Sequence, residues 1–213
     1  PVRWEGMPLM AADTYMRKAN GGLSVAVDEN GTVWTTAYGA HILPDGTLAS
    51  KYCCCHVLRS DDNGHSWDYV NTIDYKEEYN NPNCIDIEGF NETSIMVAAN
   101  GDLFFVIRSG SLHPFIKGDK DHPAPKFYCA RSKDKGKTWD VKPFYDFGVF
   151  PVSVRLKCGT TLLTSGRPGV YIRQCDDENL ENWADPVFLL TVPEEDIYGA
   201  YYEYSCSKTL MPL

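Results

Sequence analysis

Apolar residues along this chain come in short runs, each closed by a glycine-bearing turn. Residues 23–27 are apolar or small, the turn Asp28-Glu29-Asn30-Gly31 follows, and residues 32–38 resume the pattern. Residues 95–98, the turn Asn100-Gly101 and residues 102–108 repeat it, as do residues 152–156, the turn Lys157-Cys158-Gly159 and residues 160–165. Runs of this length with Gly or Asn at the turn predict β-hairpins. Two further apolar runs, 53–58 and 127–130, read as strands. No long segment carries an apolar period near 3.6 residues, so the pattern predicts an all-β chain. The three hairpins recur at spacings of about 70 and 58 residues, which suits one four-stranded unit per repeat.

A second repeat overlies the first. Ser60-Asp61-Asp62-Asn63-Gly64-His65-Ser66-Trp67 and Ser132-Lys133-Asp134-Lys135-Gly136-Lys137-Thr138-Trp139 share the pattern Ser-x-Asp-x-Gly-x-Ser/Thr-Trp. Each follows one of the strand-like runs. The residue types suit a tight turn: the Asp caps backbone N–H groups two residues on, the Gly takes a positive φ and the hydroxyl adds a local hydrogen bond. The Trp would insert between neighbouring sheets and be largely buried. A degenerate copy, from Asp177 to Trp183, follows the third hairpin, with Cys175 in the place of the Ser. Residues 119–125, rich in charge and Pro, read as a loop inside the repeat.

Composition narrows the functions. The chain is 43% hydrophobic and 23% charged, with Gly 17 and Pro 13, a globular profile rich in turns. A net charge of −9 argues against non-specific nucleic-acid binding. An anion could still be held where a few arginines converge. No apolar run is long enough for a membrane span. The N-terminus, Pro1-Val2-Arg3-Trp4, is no signal peptide, and it lacks an initiator Met. The 8 Cys form no CxxC pair or zinc-like cluster, and Cys53, Cys54 and Cys55 would alternate between the faces of one strand. Reduced thiols are therefore expected, which favours a cytoplasmic setting; a secreted or periplasmic one stays open if a leader lies upstream. His56, His65, His113 and His122 have no ligand spacing, and neither a metal nor a cofactor is implied.

The repeated eight-residue pattern resembles the Asp box of the bacterial sialidase superfamily and related β-propellers, where it lies between the third and fourth strands of a blade, away from the active site. The resemblance extends to Asn91-Glu92-Thr93-Ser94-Ile95 with Ile107-Arg108-Ser109, and to Phe147-Gly148-Val149-Phe150-Pro151 with Ser165-Gly166-Arg167-Pro168-Gly169-Val170. It covers roughly residues 23–183. It implies a six-bladed propeller, of which this chain holds three recognisable blades and about four in all, as one partial domain over residues 1–213. Residues 206–213 resemble the start of another blade.

The resemblance also implies an exo-acting hydrolase that removes terminal sialic acid, with a sialylated glycan or free sialic acid as ligand. Forked arginines bind the sugar carboxylate. That carboxylate would repel an anionic nucleophile, so a tyrosine serves instead, a glutamate takes its proton, and an aspartate protonates the leaving oxygen. Carried onto this chain, Glu92 is the base, or else a turn-capping carboxylate. Arg108 and Arg167 are the carboxylate clamps, or else surface ion-pair partners. The family's first arginine sits in an Arg-Ile-Pro motif that is missing here, and Arg17 is the stand-in. Asp45 is the acid, or else part of an ordinary Pro44-Asp45-Gly46 turn. Tyr204 is the first choice for the nucleophile, ahead of Tyr198, Tyr201 and Tyr202. A different alignment puts Lys208 in that place and leaves no nucleophile. Two other functions stay open: a non-catalytic carbohydrate-binding propeller, and a different acidic-sugar glycosidase or lyase on the same fold.

Overall fold

A computed structural model describes residues 2–3, 9–11, 20–21, 24–42, 45, 47–48, 50–79, 87–111, 126–145, 148–166 and 169–191. The first sheet is built from β1 (Val2–Arg3), β2 (Leu9–Ala11), β3 (Asn20–Gly21), β4 (Ala26–Val27), β5 (Val33–Ile42), β6 (Cys54–Ser60) and β7 (Trp67–Ile73). Its order is β1-β7-β6-β5-β2, with β3 and β4 also lying along β5. The pairing is antiparallel except where β1 runs parallel to β7. A short 3-10 turn, Glu77–Tyr79, is the only helical element among the described residues. The second sheet is the meander β8 (Ile87–Val97), β9 (Leu103–Ser111), β10 (Lys126–Ser132) and β11 (Asp140–Tyr145). The third is β12 (Val149–Arg155), β13 (Thr161–Gly166), β14 (Val170–Cys175) and β15 (Val187–Leu190). The chain is all-β and forms part of a β-propeller, each meander being one blade.

The three predicted hairpins are present as β4–β5, β8–β9 and β12–β13. Their boundaries differ in instructive places. β5 continues to Ile42, past residue 38 where the predicted strand ends. β8 begins at Ile87, well before the predicted residue 95, because polar residues 91–94 are buried and the strand continues through them by way of an irregularity at residues 91 and 92.

The reason the middle sheet is so apolar lies in its position. In β9, Leu103, Phe105 and Ile107 face one way and pack with Trp34, Cys55, Val57 and Ile73 of the first sheet. Phe104 and Val106 face the other way and pack with Leu163 and Cys175 of the third. Alternate side chains of a strand point to opposite faces, so a strand covered on both sides needs an unbroken apolar run. By contrast, Val187, Phe188, Leu189 and Leu190 of β15 are all exposed.

The inner strands of the blades are joined by a line of equivalent serines. The Ile95 amide donates to Ser24 Oγ at 2.8 Å, and the Ser153 amide donates to Ser94 Oγ at 3.0 Å. Ser94 Oγ also lies 2.6 Å from Ser153 Oγ and 3.3 Å from Ser24 Oγ. Each serine opens the inner strand of its predicted hairpin. A serine hydroxyl of one blade thus satisfies a part-buried main-chain amide of the next.

The two Ser-Asp-Gly-Trp turns connect β6 to β7 and β10 to β11, the third and fourth strands of their meanders. Asp62 accepts from the Ser66 amide at 2.8 Å and from its hydroxyl at 2.5 Å. Asp134 accepts from the Thr138 amide at 2.8 Å and from its hydroxyl at 2.6 Å. The cap therefore reaches four residues on rather than two. Ser60 and Ser132 each accept from the turn glycine's amide at 2.8 Å, and Gly64 and Gly136 have φ of 86° and 84°. Trp67 and Trp139 are half-buried rather than fully enclosed. Trp139 stands edge-on to Phe105, with ring centroids 4.9 Å apart.

Candidate functional site

In an antiparallel meander, the turns after the first and third strands share one end, and the second-to-third loops lie at the other. The Ser-Asp-Gly-Trp turns and the three hairpin turns therefore mark one end of the blades. Glu92, Arg108 and Asp45 lie towards the opposite end.

Glu92 and Arg108 meet through a β-bulge. Phe90 pairs with Ser109 and Thr93 pairs with Ile107, so Asn91 and Glu92 together oppose the single residue Arg108. Glu92 Oε1 lies 3.3 Å from Arg108 Nη1, and Glu88 Oε2 lies 3.9 Å from Arg108 Nη2. Glu92 Oε2 accepts from the Phe150 amide at 2.9 Å. Asn91 links the group: its side-chain Nδ2 donates to Glu88 at 2.8 Å, and its side-chain Oδ1 accepts from the Glu92 main-chain amide at 2.8 Å. Glu92 is 7% exposed and Arg108 9%. Two carboxylates thus share one guanidinium in a largely desolvated place. Arg108 Nε is buried and has no acceptor among the described residues.

Asp45 sits apart. It is exposed and accepts from the Thr47 amide at 2.9 Å and hydroxyl at 2.6 Å. Those hydrogen bonds hold its carboxyl below the ordinary value. Among the described residues, no hydrogen bond or ion pair joins Asp45 to Glu92 or Arg108. Arg17, Arg167 and Tyr204 lie outside the described residues. So do residues 119–125 and 206–213. Gly166, the last described residue before Arg167, ends β13 paired with Val149.

Sequence reading missed Glu88, Asn91 and Phe150. A signal exists for Asn91 and Phe150, though not for Glu88: Gly89-Phe90-Asn91-Glu92-Thr93-Ser94 and Gly148-Val149-Phe150-Pro151-Val152-Ser153 match in Gly, an apolar residue, two bulge residues, a β-branched residue and Ser. The bulge recurs at the same place, since Val149 pairs with Gly166 and Val152 with Thr164, which leaves Phe150 and Pro151 opposite Ser165.

Cys54 and Cys55 are buried beside the bulge strand and contribute no thiolate to this site. The six described cysteines are free. Burial pushes the Cys54 thiol up to about 12 and Cys55 still higher, so neither offers a thiolate. Among the described residues no group of three His, Cys, Asp or Glu side chains could hold a metal ion. No described helix is long and apolar enough to cross a membrane. A separate cleft of about 490 Å³ opens between β7 and β11, lined by Asn71, Asp74, Lys76, Tyr79, Thr138 and Trp139 among others, and it excludes Glu92 and Arg108.

No protein-family model matches the chain, and no characterised protein sequence matches it significantly. Solved structures do share its fold. A protein of unknown function from Dyadobacter fermentans superposes with a TM-score of 0.60 at 21% identity, over 82% of this chain and 43% of its own. An α-L-arabinanase from Penicillium chrysogenum, solved with arabinobiose, gives 0.54 at 14% identity, over 88% and 54%. A polysaccharide lyase, an ulvan lyase, gives 0.50 at 14% identity, over 86% and 39%. The chain spans about half or less of the length of these three structures. At such identities the likeness is one of fold, and it places this chain's blades among β-propeller proteins.

Proposed function

We propose that this chain carries part of the sugar-binding face of a propeller glycoside hydrolase, one that removes terminal sialic acid with retention, within a single partial domain over residues 1–213. The observation that carries the reading is the buried Glu92–Arg108 pair, set by a bulge at the end of the blades opposite the Asp turns. Bulges re-aim side chains and concentrate beside active sites. Glu92 is the base that takes the phenol proton of Tyr204. Arg108, Arg167 and Arg17 are the arginines that hold the sugar carboxylate. Asp45 serves as the acid once bound substrate replaces its Thr47 contacts, since those hydrogen bonds favour the ionised carboxyl, the opposite of what a proton donor needs. The arabinanase and the ulvan lyase support a polysaccharide-directed reading at the level of fold.

A second reading, sugar binding without hydrolysis, is favoured by one observation: both carboxylate oxygens of Glu92 are already engaged, one by Arg108 and one by the Phe150 amide. Turnover of an aryl sialoside separates the two. Tyr204→Phe should abolish turnover and leave binding of free sialic acid intact, because only the nucleophilic oxygen is lost. A 3-fluorosialyl donor should label Tyr204. Arg108→Lys keeps the charge and loses the fork, so sialic acid affinity by calorimetry should fall. Full turnover by the Tyr204→Phe protein would remove the tyrosine mechanism, and unchanged affinity of the lysine variant would remove Arg108 from the sugar site.

A further inference from the structure

We infer that the bulge at the start of β12, Gly148 to Pro151, is a positioning element for Glu92: the Phe150 main-chain N–H, turned out of the β12–β13 ladder, sets the direction in which the carboxylate faces. The inference rests on the reading of Glu92 as the base, but its geometry stands on its own.

The sequence cause is Pro151. A proline has no N–H to give a ladder and is tolerated inside a strand mainly at a bulge. Phe150 and Pro151 accordingly form the bulge opposite Ser165. The backbone at Phe150 has φ of 50°, a region that bulky residues rarely occupy, and such conformations persist only where the surroundings over-determine them. The Phe150 amide donates 2.9 Å across the blade boundary to Glu92 Oε2, while Glu92 Oε1 faces Arg108. The carboxylate is therefore gripped from two blades at once.

The bulge has no room to slide. Gly148 has φ of 140°, and a Cβ there would stand 2.5 Å from Ser165 Oγ, 2.6 Å from the Tyr171 hydroxyl and 2.7 Å from the Phe127 ring. Ser165 Oγ donates to the Val149 carbonyl at 2.8 Å, and Val149 is fully buried. The segment is thus clamped by its own blade and by Phe127 of the preceding one. A main-chain donor held this way does not wander between rotamers, which suits a group that must present one oxygen to a partner.

The test replaces the Phe150 amide by an ester, using phenyllactic acid at position 150 of the full chain. The change deletes the N–H and keeps the shape. A control ester at Val154, elsewhere in β12, perturbs the same strand away from Glu92. A charge-assisted hydrogen bond contributes about 1.5–3 kcal/mol, so kcat for an aryl sialoside should fall about ten- to a hundred-fold with KM nearly unchanged. The Val154 ester should lose stability but not kcat. Independently of activity, the Phe150 amide proton in a 15N-Phe-labelled sample should move upfield on Glu92→Gln, because a neutral carbonyl is the weaker acceptor. An ester at 150 with wild-type kcat, or equal kcat losses at 150 and 154, would overturn the inference. If the unaltered chain cleaves no sialoside, the sialidase reading fails by itself. The amide resonance then decides the positioning claim: no response to Glu92→Gln sinks it.

Discussion

The buried ion pair makes an asymmetric prediction about stability. Arg108 faces two carboxylates, Glu92 at 3.3 Å and Glu88 at 3.9 Å, and its side chain is 11% exposed. Arg108→Met therefore strips a shared cation from two desolvated acids at once. Removing one partner of a buried pair costs about 3–5 kcal/mol, and this case belongs at the upper end, about 4–5 kcal/mol. Glu92→Gln is milder. Arg108 keeps Glu88, and the Gln carbonyl can still accept from the Phe150 amide, so the loss is that of one charge-assisted contact, about 1–2 kcal/mol. For a chain of this size each kcal/mol moves Tm by about 2–4 °C, which gives a drop of about 8–20 °C for Arg108→Met against about 2–8 °C for Glu92→Gln. The double variant should be no worse than Arg108→Met alone, because removing Glu92's charge relieves the repulsion that the lost arginine exposed. Urea unfolding followed by tryptophan fluorescence measures all three. Equal costs for the two single variants would refute the shared-guanidinium geometry. So would additivity within about 0.5 kcal/mol, since coupled residues deviate from it by more.

Three other expectations come from the rest of the fold. Hydrogen bonds from Thr138 and Ser132 hold the Asp134 carboxyl down to about 2, from an ordinary 3.8. A depressed carboxyl contributes stability that is complete above its unfolded value and is lost as pH falls through the folded one, so the Tm of the wild type should fall between about pH 4 and 2 more steeply than that of Asp134→Asn. Equal slopes would show that the turn contributes nothing. Ser94→Ala removes the acceptor of the part-buried Ser153 amide, which should cost about 1–2 kcal/mol and speed hydrogen exchange at that amide; unchanged exchange would mean the serine line joins nothing. Trp139→Ala should cost about 3–4 kcal/mol, because its ring packs edge-on against Phe105, and Trp67→Ala about 2 kcal/mol, because Trp67 meets mainly Ala37, Leu58 and Tyr69. The reverse order in denaturant melts would contradict the packing.

Local chemistry is what could be read from the chain alone. The hairpins at Asn30-Gly31, Asn100-Gly101 and Cys158-Gly159, and the turns around Asp62 and Asp134, are encoded within eight residues or fewer, where side chains cap neighbouring amides and glycine admits a positive φ. Alternation and the unbroken apolar run of β9 likewise follow from faces that must be covered. Glu92 and Arg108 were singled out through the resemblance, each with a role of its own, and their ion pair was not among the expectations. Nor were their surroundings. Nothing adjacent to Glu92 announces that a phenylalanine amide 58 residues later will hold it, that Glu88 will share its arginine, or that Ser24, Ser94 and Ser153 will bond across blades. Apart from the Glu88–Arg108 contact, which stays inside one blade, these join strands of different blades, where distance along the chain says nothing about distance in space. They exist only once each sheet has buried its faces against the next, so packing, rather than local pattern, decided which polar groups meet.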